Sequence, residues 1–353
     1  MMNFQGYTSM TECIIPDKVQ LSTPNFYNAF SGMTKLKKVE LPNNVTSIVK
    51  AFERCYNLNE PTCGSGVTNM VNAYYACQNI TTPVCGPNVT NMRYAYSYCS
   101  NLTSAVCGPN VTDMSSAYMS CTKLAGIPAC GPNVIDMSSA YTGCTNSMFT
   151  NPVCGDNVIN MYRTYNGCTG LNGKPVCGPN VTNMNATYYN CRKISGPPVC
   201  GDKVTDMSYT YGNCLTLSGK PVCGNKVINM SHTYYNCTYL TGSPVCGPNV
   251  TNMSETYCNC RNLRGNAYFY SNSISNVYNC FYNRNDYTKL NIYVHNSTQS
   301  LTTLLTNNTW SLVGNTITWS NYVSTNGYYY NSKYYIYIYP VANVEQARLA
   351  NGD

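Results

Sequence analysis

Residues 83–99 read PVCGPNVTNMRYAYSYC, and residues 244–260 read PVCGPNVTNMSETYCNC. Between them the frame keeps returning, with Cys-Gly pairs that begin at Cys63, Cys85, Cys107, Cys130, Cys154, Cys177, Cys200, Cys223 and Cys246. The steps are 22, 22, 23, 24, 23, 23, 23 and 23 residues. A fixed period in this range marks a solenoid, in which one small unit stacks on copies of itself. Length then adds coils and not core depth, and the functional question becomes one of surfaces before chemistry.

Positions are counted here from the cysteine of each Cys-Gly pair. Position +1 is Gly, +4 Val (Val67 to Val250), +6 Asn or Asp, +7 Met (Met70 to Met253), +11 Tyr (Tyr74 to Tyr257) and +14 Cys (Cys77 to Cys260). Met, Tyr and Cys spaced i, i+4, i+7 predict one face of a short helix. The Asn or Asp just before Met reads as its N-cap, and Gly-Pro-Asn ahead of it as a tight turn. The segment before the turn reads as a short strand. Proline stands two residues before the cysteine in eight of the nine repeats, so that strand is expected to span only two or three residues. The expected fold is an α/β repeat solenoid, leucine-rich-repeat-like, of about 11 coils of short parallel strand plus helix, with a small α+β C-terminal cap.

Earlier residues confirm the inward slots. VELPNNVTSIVKAFERCYNL at 39–58 puts Leu41 in the cysteine slot, with Val45, Ile48, Phe52 and Cys55 at the positions that follow. Looser spacing at 15–36 offers Ile15, Val19, Phe30 and Leu36. These two repeats, with an apolar strand ending in Pro, a V-T-x-I segment and A-F-x-x-C-x-x-L, resemble the BspA-like leucine-rich repeats. The nine later ones look like an Asn-Val-Thr-x-Met variant of that family, and the resemblance spans roughly residues 13–281. It implies a non-enzymatic solenoid for adhesion or protein recognition, of a kind found on bacterial surfaces, in protist surface proteins and in bacteriophage virions.

Composition narrows the function classes. Only 10% of the 353 residues are charged, and the net charge of +7 is spread without a Lys/Arg run, so the electrostatic footprint of a nucleic-acid binder is missing. The N-terminal MMNFQGYTSMTECII lacks a basic region followed by an apolar one, and no stretch nears 18 apolar residues. Nineteen of the 22 cysteines occupy two fixed repeat positions, which suits buried thiols that pack as small hydrophobes. A disulfide joining the Cys-Gly cysteine to the +14 cysteine of one repeat stands as a second reading. Zinc fits poorly, since there is no CxxC pair and His232 and His295 are the only histidines. The Asn-Val-Thr triplets match the glycosylation sequon but read here as turn and cap elements. Signatures of nucleotide, metalloprotease and serine-hydrolase chemistry are absent, so no enzyme, cofactor or metal is expected.

Two candidate surfaces remain. The residue before the cysteine is Val84, Val106, Val153, Val176, Val199, Val222 and Val245, and strand alternation would turn this valine stripe outward. The competing reading is that valine merely suits a strand. After Leu290 the texture changes, and Trp310, Trp319, Tyr328 and Tyr329 offer flat amphipathic rings for recognition on a segment that otherwise caps the open core. The tail VANVEQARLANGD reads as a short helix. The expected divisions are an N-terminal cap and degenerate repeat at 1–38, the solenoid at 39–281 and a cap or docking module at 282–353.

The sequence therefore reads as a non-enzymatic adhesion, recognition or structural protein. Its favoured setting is a bacteriophage virion appendage, a tail or head fibre type, made in the host cytoplasm. Expected partners are a protein or glycan on a cell surface, other virion proteins, or a second copy of the chain, with no nucleic acid and no membrane insertion. A scaffold or effector without a signal that binds a host protein in the cytoplasm, and a fragment of a cell-surface adhesin, are the alternatives.

Overall fold

The computed structural model describes residues 3–19, 24–282, 289–295, 329–331 and 336–353. The chain forms two compact units, Met1–Asn180 and Val181–Asp353, each built as a solenoid of stacked coils. Within each unit a repeat position becomes a column of the core. Val67, Val89, Val111, Val134 and Val158 of the first unit are fully buried, as are Met70, Met92, Met114, Met137 and Met161 beside them. In the second unit Val204, Val227 and Val250 and Met207, Met230 and Met253 do the same.

Aromatic rings make the central column. In the first unit they stack from Phe4 through Phe30, Phe52, Tyr74, Tyr96, Tyr118 and Tyr141 to Tyr165, with neighbouring centroids 4.7–5.7 Å apart. In the second, Tyr188, Tyr211, Tyr234, Tyr257 and Phe281 stack at 5.5–5.7 Å. Such offset ring pairs add to the burial of large apolar area.

The expected helix at Met–Tyr–Cys is not there. Among the described residues the only α-helix is α1 (Val344–Ala350), in the tail where a helix is expected; Asn343 caps it by accepting from the Gln346 N–H. In the coils the backbone alternates between two kinds of bond. The N–H groups of Met70, Asn72, Tyr74 and Ala76 donate to Asn91, Arg93, Ala95 and Ser97 of the next coil, at 2.8–2.9 Å. The N–H groups between them, of Ala73, Tyr75 and Cys77, close turns onto the residue three before, at 2.9–3.3 Å. A helix would instead bond each N–H to the residue four before.

Asn72 and Ala76, with φ of 53° and 61°, enter the left-handed region and break any helical run. The same two positions do so in later coils, as at Tyr209 and Asn213. Turns that repeat every four residues place Met, Tyr and Cys on one inner side just as a helix would, which is why the spacing misleads. Asn or Asp at +6 caps a turn rather than a helix. Its Oδ1 accepts from the N–H two residues on, as in Asn69 to Val71 at 3.0 Å and Asp206 to Ser208 at 2.8 Å.

Regular strands are few. In the first unit β1 (Glu12–Ile14) pairs in parallel with β2 (Lys38–Glu40), and β3 (Asn172–Gly173) is two residues long. The second unit holds β4 (Lys193–Ile194), then β5 (Val245–Cys246), β6 (Gly265–Phe269), β7 (Leu290–His295), β8 (Tyr329–Asn331) and β9 (Ile336–Val341). The last five form one sheet in the order β5-β6-β7-β9-β8, parallel except for the β8–β9 pair. Elsewhere the coils meet through single parallel bridges, such as Asn69 with Asn91 and Asp206 with Asn229.

Candidate functional site

Six coils turn a short segment, Pro-Val-Cys-Gly, toward one face, and three more carry a close variant of it. Proline brings no N–H, so this segment leaves one donor fewer to satisfy. The ring of Pro83 is buried, as are those of Pro152, Pro175, Pro198, Pro221 and Pro244. The next residue is held by the buried tyrosine of its own coil. Tyr96 Oη accepts from the Val84 N–H at 2.9 Å and donates to the Val84 carbonyl at 2.6 Å. Tyr118 does this for Val106 at 3.0 and 2.5 Å, and Tyr234 for Val222 at 2.9 and 2.7 Å. One hydroxyl thus replaces the two ladder bonds that a strand residue would make.

Coils with phenylalanine in the tyrosine's place lack that hydroxyl and use ladders instead. β2 leads into the coil of Phe52, and β6 into the coil of Phe281. The tyrosine brace corrects two expectations. Among the seven valines only Val245 lies in a strand. Val84, Val106, Val153, Val176, Val199, Val222 and Val245 are half-buried, not fully exposed. The Cys-Gly cysteines share this half-buried level, except for buried Cys246, whereas the +14 cysteines are fully buried.

None of the 22 cysteines is joined in a disulfide. Each column has its own bonding. The buried Cys99 Sγ donates to the Tyr74 carbonyl of the previous coil at 3.1 Å, and Cys237 Sγ to Tyr211 at 3.0 Å. Burial pushes the Cys99 thiol up to about 12 and the half-buried Cys63 thiol to about 11, so both stay protonated near neutrality when nothing is bound. Glycine after the half-buried cysteine lets coils close up, since a Cβ on Gly86 would lie 3.0 Å from Cys63 Sγ and 3.1 Å from the Gly64 carbonyl.

The Asn-Val-Thr triplets are ladder elements. Asn88 Nδ2 donates to the Ser65 carbonyl of the previous coil at 2.8 Å, and Thr90 Oγ1 to the Thr68 carbonyl at 3.2 Å.

In the second unit the valine face deepens into a groove of ≈ 380 Å³. Val222, Val245, Pro244 and Pro248 form its apolar floor, and Tyr268, Tyr270, Asn266 and Arg348 its far wall. Arg348, on α1, is tied to Glu345 at 2.6 Å. Tyr270 also donates to Glu345, at 2.7 Å, and Tyr268 donates to Asp353 at 2.6 Å. These bonds dock the tail beside the face. Position-by-position reading had not singled out Tyr268, Tyr270 or Arg348. The signal lay in the period, because one 23-residue step from Cys246 lands on Phe269 and makes Tyr268 the counterpart of the valines.

The first unit has a smaller groove of ≈ 300 Å³ at Lys50, Arg54, Asn72 and Tyr94, on the turn side of the coils. Trp310, Trp319 and Tyr328 lie outside the described residues, and Tyr329 is placed only as a backbone position of β8. Among the described residues no three His, Cys, Asp or Glu side chains gather as a metal site, and no helix is long and apolar enough to cross a membrane.

Comparison with known proteins agrees with this architecture at its N-terminal end. Residues 2–125 match the BspA type Leucine rich repeat region in six copies. Residues 2–125 are thus similar to that repeat family, and the same inward positions recur in the coils that follow. A solved leucine-rich repeat protein from Bacteroides ovatus ATCC 8483 is similar at 16% identity with a TM-score of 0.45, covering 82% of this chain and 80% of that one. No curated protein matches the sequence.

Proposed function

We propose that the protein is a non-enzymatic recognition protein whose binding surface is the Pro-Val-Cys-Gly face of its coils. One observation carries this reading: the face ends in a groove whose apolar floor and Tyr, Asn and Arg wall are held by hydroxyl and carboxylate bonds before any partner arrives. A surface ordered in advance loses little entropy on binding. Uncharged valines and prolines beside tyrosines suit a protein or glycan on a cell surface. Residues 282–353 then serve as both cap and docking module.

The more specific setting we propose is a bacteriophage virion appendage that contacts a host surface or other virion proteins. Its support is chemical: 22 cysteines without a disulfide and a sequence low in charge suit a protein that folds in a reducing cytoplasm and reaches the outside on a particle. Immunogold electron microscopy on source cells and released particles tests the setting. Gold on particles is expected, and gold confined to cells would overturn it. For the face, Val222→Glu and Val199→Glu should each abolish attachment of purified protein to host cells while leaving the fold intact by circular dichroism. Unchanged attachment would move the binding surface elsewhere.

A further inference from the structure

The half-buried sulfurs belong to neither the recognition reading nor any disulfide. In the first unit the Cys-Gly cysteines of three coils face the buried methionine seven residues on. Cys63 Sγ lies 3.8 Å from Met70 Sδ, Cys85 Sγ 3.6 Å from Met92 Sδ, and Cys130 Sγ 3.6 Å from Met137 Sδ. Two of these pairs lie on successive coils and the third two coils further on. The cysteines of these pairs are half-buried, while their methionines are fully buried.

We propose that these pairs bind thiophilic monovalent metal, Cu(I) above all, with one thiolate and one thioether supplied by each of the coils of Cys63, Cys85 and Cys130. Soft sulfur donors select Cu(I) over harder ions. A metal at about 2.3 Å from two sulfurs 3.6–3.8 Å apart would subtend about 100–110°, an angle that leaves one side open to a further sulfur. Zinc is disfavoured by the same geometry, because it wants four ligands and no three His, Cys, Asp or Glu groups converge among the described residues. The step balances simply. The Cys S–H bond breaks, a Cu–S bond forms, and the proton goes to solvent. Methionine donates a lone pair with no proton to lose, and copper keeps its oxidation state.

The test loads fully reduced, full-length protein with Cu(I) without oxygen, against bathocuproine disulfonate as competing chelator. Wild type is expected to retain several equivalents, with X-ray absorption showing only sulfur neighbours. The triple variant Met70→Leu, Met92→Leu, Met137→Leu keeps side-chain volume and every cysteine, and should lose affinity by about tenfold or more. Should it fail to fold, Met92→Leu alone should lower the stoichiometry by one. Surrender of all copper by wild type, wild-type affinity in the folded leucine variant, or nitrogen and oxygen neighbours would each overturn the proposal. Val222→Glu leaves these pairs untouched, so failure here and failure of the recognition face are separable.

Discussion

At the scale of the residue, the tyrosine hydroxyl has the largest structural role. Tyr118 is fully buried, and its hydroxyl is the partner of both backbone groups of Val106. Tyr118→Phe removes both bonds and leaves a donor and an acceptor unpaired in a half-buried strip. The expected loss is about 1–3 kcal/mol, read by urea unfolding. Ser120 makes the opposite case. It holds φ of 60°, a conformation that strains any residue with a Cβ, whereas Gly143 and Gly167 fill the same position in the next coils at φ of 76° and 72°. Ser120→Gly should therefore raise stability by about 0.5–1 kcal/mol, since relief of strain outweighs the entropy of glycine. A lowered melting temperature would contradict this.

The coil is the next scale, and it behaves as a removable element. Because each coil contacts mainly its neighbours, deleting residues 107–129, which joins Val106 to Cys130 in frame, should leave a folded protein with a smaller urea m-value. Loss of cooperative unfolding would refute the one-dimensional picture. Much of the coil was legible in sequence. Period, inward columns and the sparse strands all follow from the positions of Val, Met, Tyr, Cys and Pro. The helix did not follow, because Met70, Tyr74 and Cys77 fit two backbones equally: one helical, and one made of turns that repeat every four residues. Only the left-handed residues Asn72 and Ala76 decide between them, and neither is a glycine that would have flagged the conformation. The groove was hidden for another reason, since its wall comes from Tyr268 and Arg348, which lie 80 residues apart and meet only through the docking of α1.

For the whole molecule, the buried protons set the response to pH. Burial raises the thiols of Cys55, Cys99 and Cys107 to about 12, and lifts the hydroxyls of Tyr74, Tyr96 and Tyr118 well above their ordinary value. Unfolded thiols ionise near about 8.5 and tyrosines near about 10. The folded protein thus binds more protons than the unfolded one at alkaline pH, and stability must fall as pH rises. Unfolding midpoints measured from pH 7 upward should stay level to about 8.5 and then drop steeply. A midpoint unchanged at pH 10 would show that the sulfur and tyrosine columns are open to water. His232 acts in the opposite range. Burial lowers it despite Glu255 at 3.4 Å, so its small contribution is lost as pH falls through the ordinary histidine range.

The bonds between coils also have a direction, which differs from one edge of the coil to the next. Met70, Asn72, Tyr74 and Ala76 all donate toward the following coil, and so do Met230, His232, Tyr234 and Asn236 in the second unit. Their peptide dipoles align as in a helix but with opposite sense, since the amides point toward later residues. Along this turn edge a cut between coils would bare amide donors on the earlier fragment and carbonyl acceptors on the later one, whereas along the edge where the Thr68, Thr90 and Thr112 N–H groups donate to the Thr46, Thr68 and Thr90 carbonyls it would bare the reverse. The two severed surfaces are unlike, and each could be matched only by a coil arriving in the same orientation. A stack of this kind has polarity, as a filament does: it can be extended head to tail and never head to head.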